Sequence, residues 1–279
     1  MLPADLGAAV TDPLAYNLIL TVIGRYSLAT LTPSIAGLHR LVQAVIQARL
    51  DQAAERAWAE VAVNLVRARF PNDSRETSTW AACERLLPQL LAVTAHAERL
   101  GAAGDAAGWL LDRASTYLRE RGQYRQAKPL AERALTITES ALGPDDPEVG
   151  WRRDELGRVL QDLGDLDGAR TQYERALQIG EAALGPDHPT IGTLRGNLGG
   201  VLRGLGDLAG ARTQYERALQ ISEAALGPDH PTVGTRRNNL GLVLRDLGDL
   251  DGARTQLERA LRIGEAALGP DHPTGRRPA

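Results

Sequence analysis

One cysteine, one methionine and one phenylalanine stand among 279 residues, and Lys128 is the sole lysine. A lone Cys83 excludes an intrachain disulfide framework, and no basic-then-apolar leader precedes it, so a reducing cytoplasm is the expected compartment. Long apolar runs are missing too. The most apolar stretch, Leu14 to Leu31, is broken by Asn17, Gly24 and Arg25, too interrupted for a membrane span. With Lys128 preceded by Gln126-Ala127, a Gly-x-x-x-x-Gly-Lys phosphate cradle is excluded. A net charge of -3 gives no general attraction to nucleic acid or to an anionic membrane, so neither partner is expected. No close Ser/His/Asp, Cys/His or metal-ligand grouping is present, so no enzyme and no cofactor are expected. The composition, 43% hydrophobic and 24% charged, is that of a soluble globular protein of one or two domains.

What is present is a block of 42 residues that recurs, marked by Leu-Gly-Pro-Asp at 142–145, 184–187, 226–229 and 268–271. Residues 191–232 and 233–274 share 33 of 42 positions. One unit has been copied and must bury its apolar face against its own copies. In the last full copy, Gly234 to Leu247 and Asp251 to Leu268 each carry apolar residues at helical spacing, which predicts a helical hairpin. Gly248 can take the left-handed conformation that ends a helix, and Asp249 can cap the next one. Gly241 and Ala253 let the two helices approach, with Leu240, Leu244, Leu257 and Leu261 expected between them. His188, His230 and His272 fall in the same turn of successive copies. Helices pack roughly 8 to 10 Å apart, too far for these imidazoles to share a metal, so Asp-His-Pro is read as a cap with proline in the first turn.

This pattern resembles the tetratricopeptide repeat. Its Leu-Gly pair, turn glycine and two small alanines stand at Leu198-Gly199, Gly206, Ala211 and Ala218, with Tyr215 between the alanines. The other full copies match at Leu156-Gly157, Gly164, Ala169, Tyr173, Ala176 and at Leu240-Gly241, Gly248, Ala253, Leu257, Ala260. The longer period is similar to that of kinesin light chains and their bacterial relatives. A worn copy with Gly122, Ala127, Ala134 and Leu135 precedes these, so the array is expected over 105–274, in hairpins 105–147, 148–189, 190–231 and 232–274. The fold class expected is all-α: a solenoid, preceded by a small winged-helix-like α+β unit at 1–50 and bridging helices at 51–104, with a tail at 275–279.

The copies differ mainly on the first helix, at Asp154, Arg158 and Asp162, then Gly196, Gly200 and Gly204, then Asn238, Leu242 and Asp246. Spacing of four puts each trio on one stripe. The resemblance implies that first helices line a concave groove, so this stripe, with Trp151, Gln161, Arg203 and Arg245, is expected to read a peptide. Asn197 and Asn239 match the family's groove asparagines. Arg195, Arg203, Arg237 and Arg245 would favour an acidic segment or a C-terminal carboxylate, unless they pair with Asp246 or Glu155 on a solvated face. Six glycines between 192 and 206 predict a flexible joint there.

Residues 11–50 read as a helix from Pro13 to Tyr26, two short strands around Ser27 to Leu31 and Ile35 to Leu38, and a helix from His39. Arg25 to Leu31 and Leu38 to Val45 resemble the winged-helix module that follows the NB-ARC domain of STAND signalling ATPases. In that family a Met-His-Asp triplet touches bound ADP. Leu38-His39-Arg40 keeps only the histidine, so His39 is the one nucleotide-binding candidate. No polar cap is visible after Leu268, so either the last repeat exposes an apolar flank that pairs with another molecule or the chain is a remnant of a longer signalling protein. In 51–104, Trp58, Phe70, Trp80 and Trp109 are expected apolar anchors, Arg69 to Ser74 a turn, His96 a packed helix residue and Cys83 a buried thiol. Three functional readings follow. The first is the sensor half of a STAND-type regulator binding a protein or peptide. The others are a self-associating adaptor for a separate NB-ARC ATPase, and a winged-helix DNA-binding regulator.

Overall fold

The computed structural model describes residues 29–31, 36–38, 50–102 and 104–268. The described residues form two short strands and ten α-helices. Strands β1 (Ala29–Leu31) and β2 (Ala36–Leu38) pair antiparallel, with Thr30 opposite Gly37, where two strands are expected. The helices expected from Pro13 and from His39, and His39 itself, lie outside the described residues.

The chain divides into two compact units: residues to Phe70 with Glu84–Leu110, and Pro71–Cys83 with residues from Leu111 onward. In the first, α1 (Gln52–Arg67) starts at Asp51, whose carboxylate accepts from the Ala54 N–H at 2.7 Å. It faces α2 (Trp80–Arg99), where Arg56 donates to the Leu100 carbonyl at 2.7 Å and Glu55 meets His96 at 3.8 Å. His96 is thus a partly buried packed residue, as expected. In the second unit, the 69–74 turn buries Ser74, whose hydroxyl donates to the Arg113 carbonyl at 2.8 Å, and the Trp80 ring meets Tyr117 edge-on at 6.3 Å. Cys83 is fully buried, and burial pushes its thiol pKa up.

From Asp105 the helices alternate: α3 (Asp105–Glu120), α4 (Tyr124–Leu142), α5 (Pro147–Asp162), α6 (Leu166–Leu184), α7 (Pro189–Gly204), α8 (Leu208–Leu226), α9 (Pro231–Asp246) and α10 (Leu250–Leu268). First helices run 16 residues and second helices 19. The turns follow from the sequence. Gly164, Gly206 and Gly248 sit at φ of +84° to +86°, where a side chain would be strained. The next residue's carboxylate then caps the second helix, as Asp207 does by accepting from Gly210 N–H at 2.9 Å. At the other turn the histidine is itself the cap: His230 Nδ1 accepts from Thr232 N–H at 3.1 Å, ahead of Pro231. Asp146 does the same at the start of α5, accepting from Glu148 N–H at 2.9 Å.

The core lies between layers. A Cβ at Gly241 would come within 2.8 Å of Leu257, so the close helix approach depends on that glycine. Leu240 and Leu244 are buried as expected, but Leu261 is 57% exposed. Its counterparts Leu177 and Leu219 are covered because each faces the following repeat; among the described residues nothing plays that part for α10. The expected filler role of Leu261 is thereby corrected.

Candidate functional site

The stripe that varies between copies lies on successive first helices, which touch one another through side chains. Arg119 of α3 donates to Glu155 of α5 at 3.1 Å and to Asp162 at 3.4 Å. Asn197 of α7 donates to Asp154 of α5 at 2.9 Å. Arg203 of α7 donates to Asp246 of α9 at 2.7 Å, and Arg236 of α9 to Thr193 of α7 at 3.3 Å. The first helices therefore form one continuous polar face.

Most of the expected residues meet on it. Asp154 is held by Arg158 at 3.0 Å and by Asn197, and Gln161 accepts from the Tyr173 hydroxyl at 3.1 Å. Arg203 and Arg245 both pair with Asp246, which holds its carboxyl below the usual aspartate range. Asn238 is exposed, and Asn239 and Leu242 are half-buried on the same helix.

Arg195 and Arg237 belong elsewhere. Arg195 bridges Glu181 on the preceding second helix and Gln214 on its own, the latter at 2.7 Å. Arg153 spans Glu139 and Gln172, and Arg237 spans Glu223 and Gln256, in the same way. This Arg-Glu-Gln clamp recurs at each junction, so the structure moves Arg195 and Arg237 out of the ligand set and into the scaffold. The sequence carried the signal, since the arginine and the glutamine are invariant among the three full copies, and a glutamate stands at 139, 181 and 223.

Sequence reasoning passed over four polar residues here: Asp112 and Arg152 are buried, and Arg119 and Arg236 are half-buried. Asp112 sits between Arg113 at 2.7 Å and Arg152 at 3.6 Å. Beside them a cavity of 180 Å³ is lined in part by Arg75, Trp151, Asp154, Glu155 and Arg158. Burial pushes the Glu155 pKa up to about 7; Arg119 and Arg158 oppose the rise, while Asp112 and Asp154 add to it. Their register in the copied unit carried the signal: Asp112 is equivalent to Asp154, Gly196 and Asn238 of the variable stripe, and Arg152 and Arg236 stand two residues before it.

The glycines of α7 differ among themselves. Gly192 and Gly199 are packing residues, the latter with the Tyr215 ring 3.1 Å from where its Cβ would be. Gly196 and Gly200 face neighbouring side chains instead: Gly196 is buried beneath Arg236, and Gly200 is half-buried. A Cβ at Gly196 would run into the Arg236 guanidinium, and one at Gly200 would meet the Tyr215 hydroxyl at 3.3 Å. Among the described residues no group of His, Cys, Asp and Glu could hold a metal ion, and no helix is long and apolar enough to cross a membrane.

The sequence model of the tetratricopeptide repeat matches residues 105–179, 153–224 and 190–266. No curated protein matches the chain in sequence. Among solved structures, BtubC (BKLC) from P. vanneervenii is similar at 22% identity with a TM-score of 0.56, covering 82% of this chain and 97% of that one. A Podosopora anserina kinesin light chain with nearly identical TPR-like repeats is similar at 19% identity and a TM-score of 0.59, over 76% of this chain and 97% of the other. At these identities the likeness is one of fold.

Proposed function

The chain belongs to the tetratricopeptide repeat family, whose matches span more than half of its length, and from that premise we propose that it is a non-enzymatic interaction module whose first helices hold an extended segment of a partner protein. One observation carries the reading: the clamps that join the repeats are the same at every junction, while the polar face of the first helices changes from copy to copy. A surface under structural constraint alone would vary least where helices meet and drift evenly elsewhere. Here variation concentrates on one stripe, with Asn238, Asn239, Leu242 and Arg245 available on it.

The resemblance of residues 25–45 to the module after an NB-ARC domain supports a place in the sensor half of a STAND-type signalling protein in the cytoplasm. The test is capture of partners from lysate by the intact chain and by a variant with Asn197, Arg203, Asn239 and Arg245 all changed to alanine. We expect one specific partner to be lost with the variant while its thermal midpoint is held. Equal retention by both would overturn the reading. A second reading, self-association, rests on Leu250 and Leu261, which are 66% and 57% exposed on α10. Light scattering that shows mass rising with concentration, abolished by Leu261→Glu, would favour it.

A further inference from the structure

Arg152 and Arg236 hold the same place in copies two repeats apart, yet their surroundings differ. Arg152 is 2% exposed and is matched by two carboxylates, Asp112 from the preceding first helix at 3.6 Å and Glu148 one turn back at 3.1 Å. At the positions equivalent to these, Arg236 finds Gly196 and Thr232. Among the described residues its one hydrogen bond goes to the neutral Thr193 hydroxyl at 3.3 Å, and no carboxylate lies within ion-pair reach. The Nε of Arg236 is unpartnered, as it is in the clamp arginines, so the missing countercharge is what sets Arg236 apart.

That absence is costly. A partly buried guanidinium without a countercharge has given up hydration and received little in return. Burial pushes its pKa down and the Arg158 charge adds to the effect. Gly196 leaves α7 without a side chain directly beneath the Arg236 guanidinium, and Gly200 does so one turn on, beside the Tyr215 hydroxyl. The unmatched, half-buried guanidinium thus lies over backbone that carries no side chain.

Resting on the reading that the first helices hold a peptide, we propose that Arg236 receives the side-chain carboxylate of an aspartate or glutamate of the bound segment, in the place that Asp112 holds against Arg152. A carboxylate fits the fork of a guanidinium through paired N–H bonds. Gly196 is the residue that sets this specificity, because any acidic side chain there would fill the place from within.

The intact chain is probed with an array of synthetic peptides in matched sets: acidic residues present, replaced by their amides, or replaced by phosphoserine. The wild type should retain acidic members over their amide counterparts. Arg236→Gln and Gly196→Asp should each weaken that retention about tenfold or more, the size of one lost charged contact, whereas Gly196→Asn should keep the preference for acid. Without any peptide, Gly196→Asp should melt about 2–4 °C above Gly196→Asn, the effect of a newly matched charge in a chain of this size. Peptides held without regard to acidity, a preference for phosphoserine, or equal melting of the two Gly196 variants would overturn the proposal and leave the peptide-binding reading standing. Retention of no peptide by the wild type would overturn both.

Discussion

At the scale of single residues the molecule separates charges that build from charges that are available. The Arg195 clamp builds: its guanidinium ties two repeats through Glu181 and Gln214. Alanine at Arg195, at Glu181 and at both should show a coupling of about 1 kcal/mol in a double-mutant cycle read by denaturant unfolding, where unrelated sites would give close to zero. Glu155 makes a different prediction. Its ordinary value is 4.5 and the folded chain raises it to about 7, so between those values the folded state binds more protons than the unfolded one. Stability then falls as pH rises through that window. Glu155→Gln, which cannot ionise, should gain on the wild type between pH 5 and pH 8 by up to about 3 kcal/mol, the worth of the full shift. A pH-independent difference in melting would refute the assignment.

At the scale of elements, α7 is a helix that its own composition disfavours, and its glycines are of two kinds. Gly199→Ala should cost about 1–3 kcal/mol, because the Tyr215 ring stands 3.1 Å from the new methyl. Gly200→Ala should cost less than Gly199→Ala, because the new methyl meets only the Tyr215 hydroxyl at 3.3 Å and the Gln161 amide at 3.7 Å, against a helix-propensity gain of up to about 1 kcal/mol. Thermal melts of the two variants would decide. Hydrogen exchange should likewise run faster in α7 than in α5 or α9, helices of the same length.

Much of this was legible in the sequence. Gly248 and Asp249 announce a turn and a cap through local chemistry alone, and the copied Leu-Gly-Pro-Asp gives the hairpin boundaries. Local chemistry does not say which neighbour a long side chain reaches. Arg195 reads as a groove cation until the second helices on either side are in place, and Leu261 reads as core until the following layer is sought. The unmatched state of Arg236 is a relation between residues of two copies, visible only once the copies are stacked.

At the scale of the whole molecule, near-identical junctions mean that each repeat of the array contributes its own fold and one interface on either side. Weakening two neighbouring clamps together, by Arg195→Ala with Arg237→Ala, should therefore broaden the urea transition and lower its slope, where a single cooperative core would keep the slope and shift only the midpoint. Coincident transitions at wild-type slope would count against independent junctions. The face of the first helices has no such redundancy. Each copy presents a different set of side chains, so loss of one copy removes one part of what is recognised.

A clamp with the same three partners at every junction has a genetic consequence. Recombination between copies can add or remove whole repeats and still rejoin matching surfaces, since Arg237 would find Glu181 where it now finds Glu223. A chain that lost residues 190–231 in this way would also bring Asp154 opposite Arg236, in the position that Gly196 holds now. The shortened array would close without a seam, and the open cation would be neutralised from within. Gain or loss of one copy is thus a single-step route by which descendants of this gene could switch an acid-reading site on or off, without a substitution anywhere in the protein.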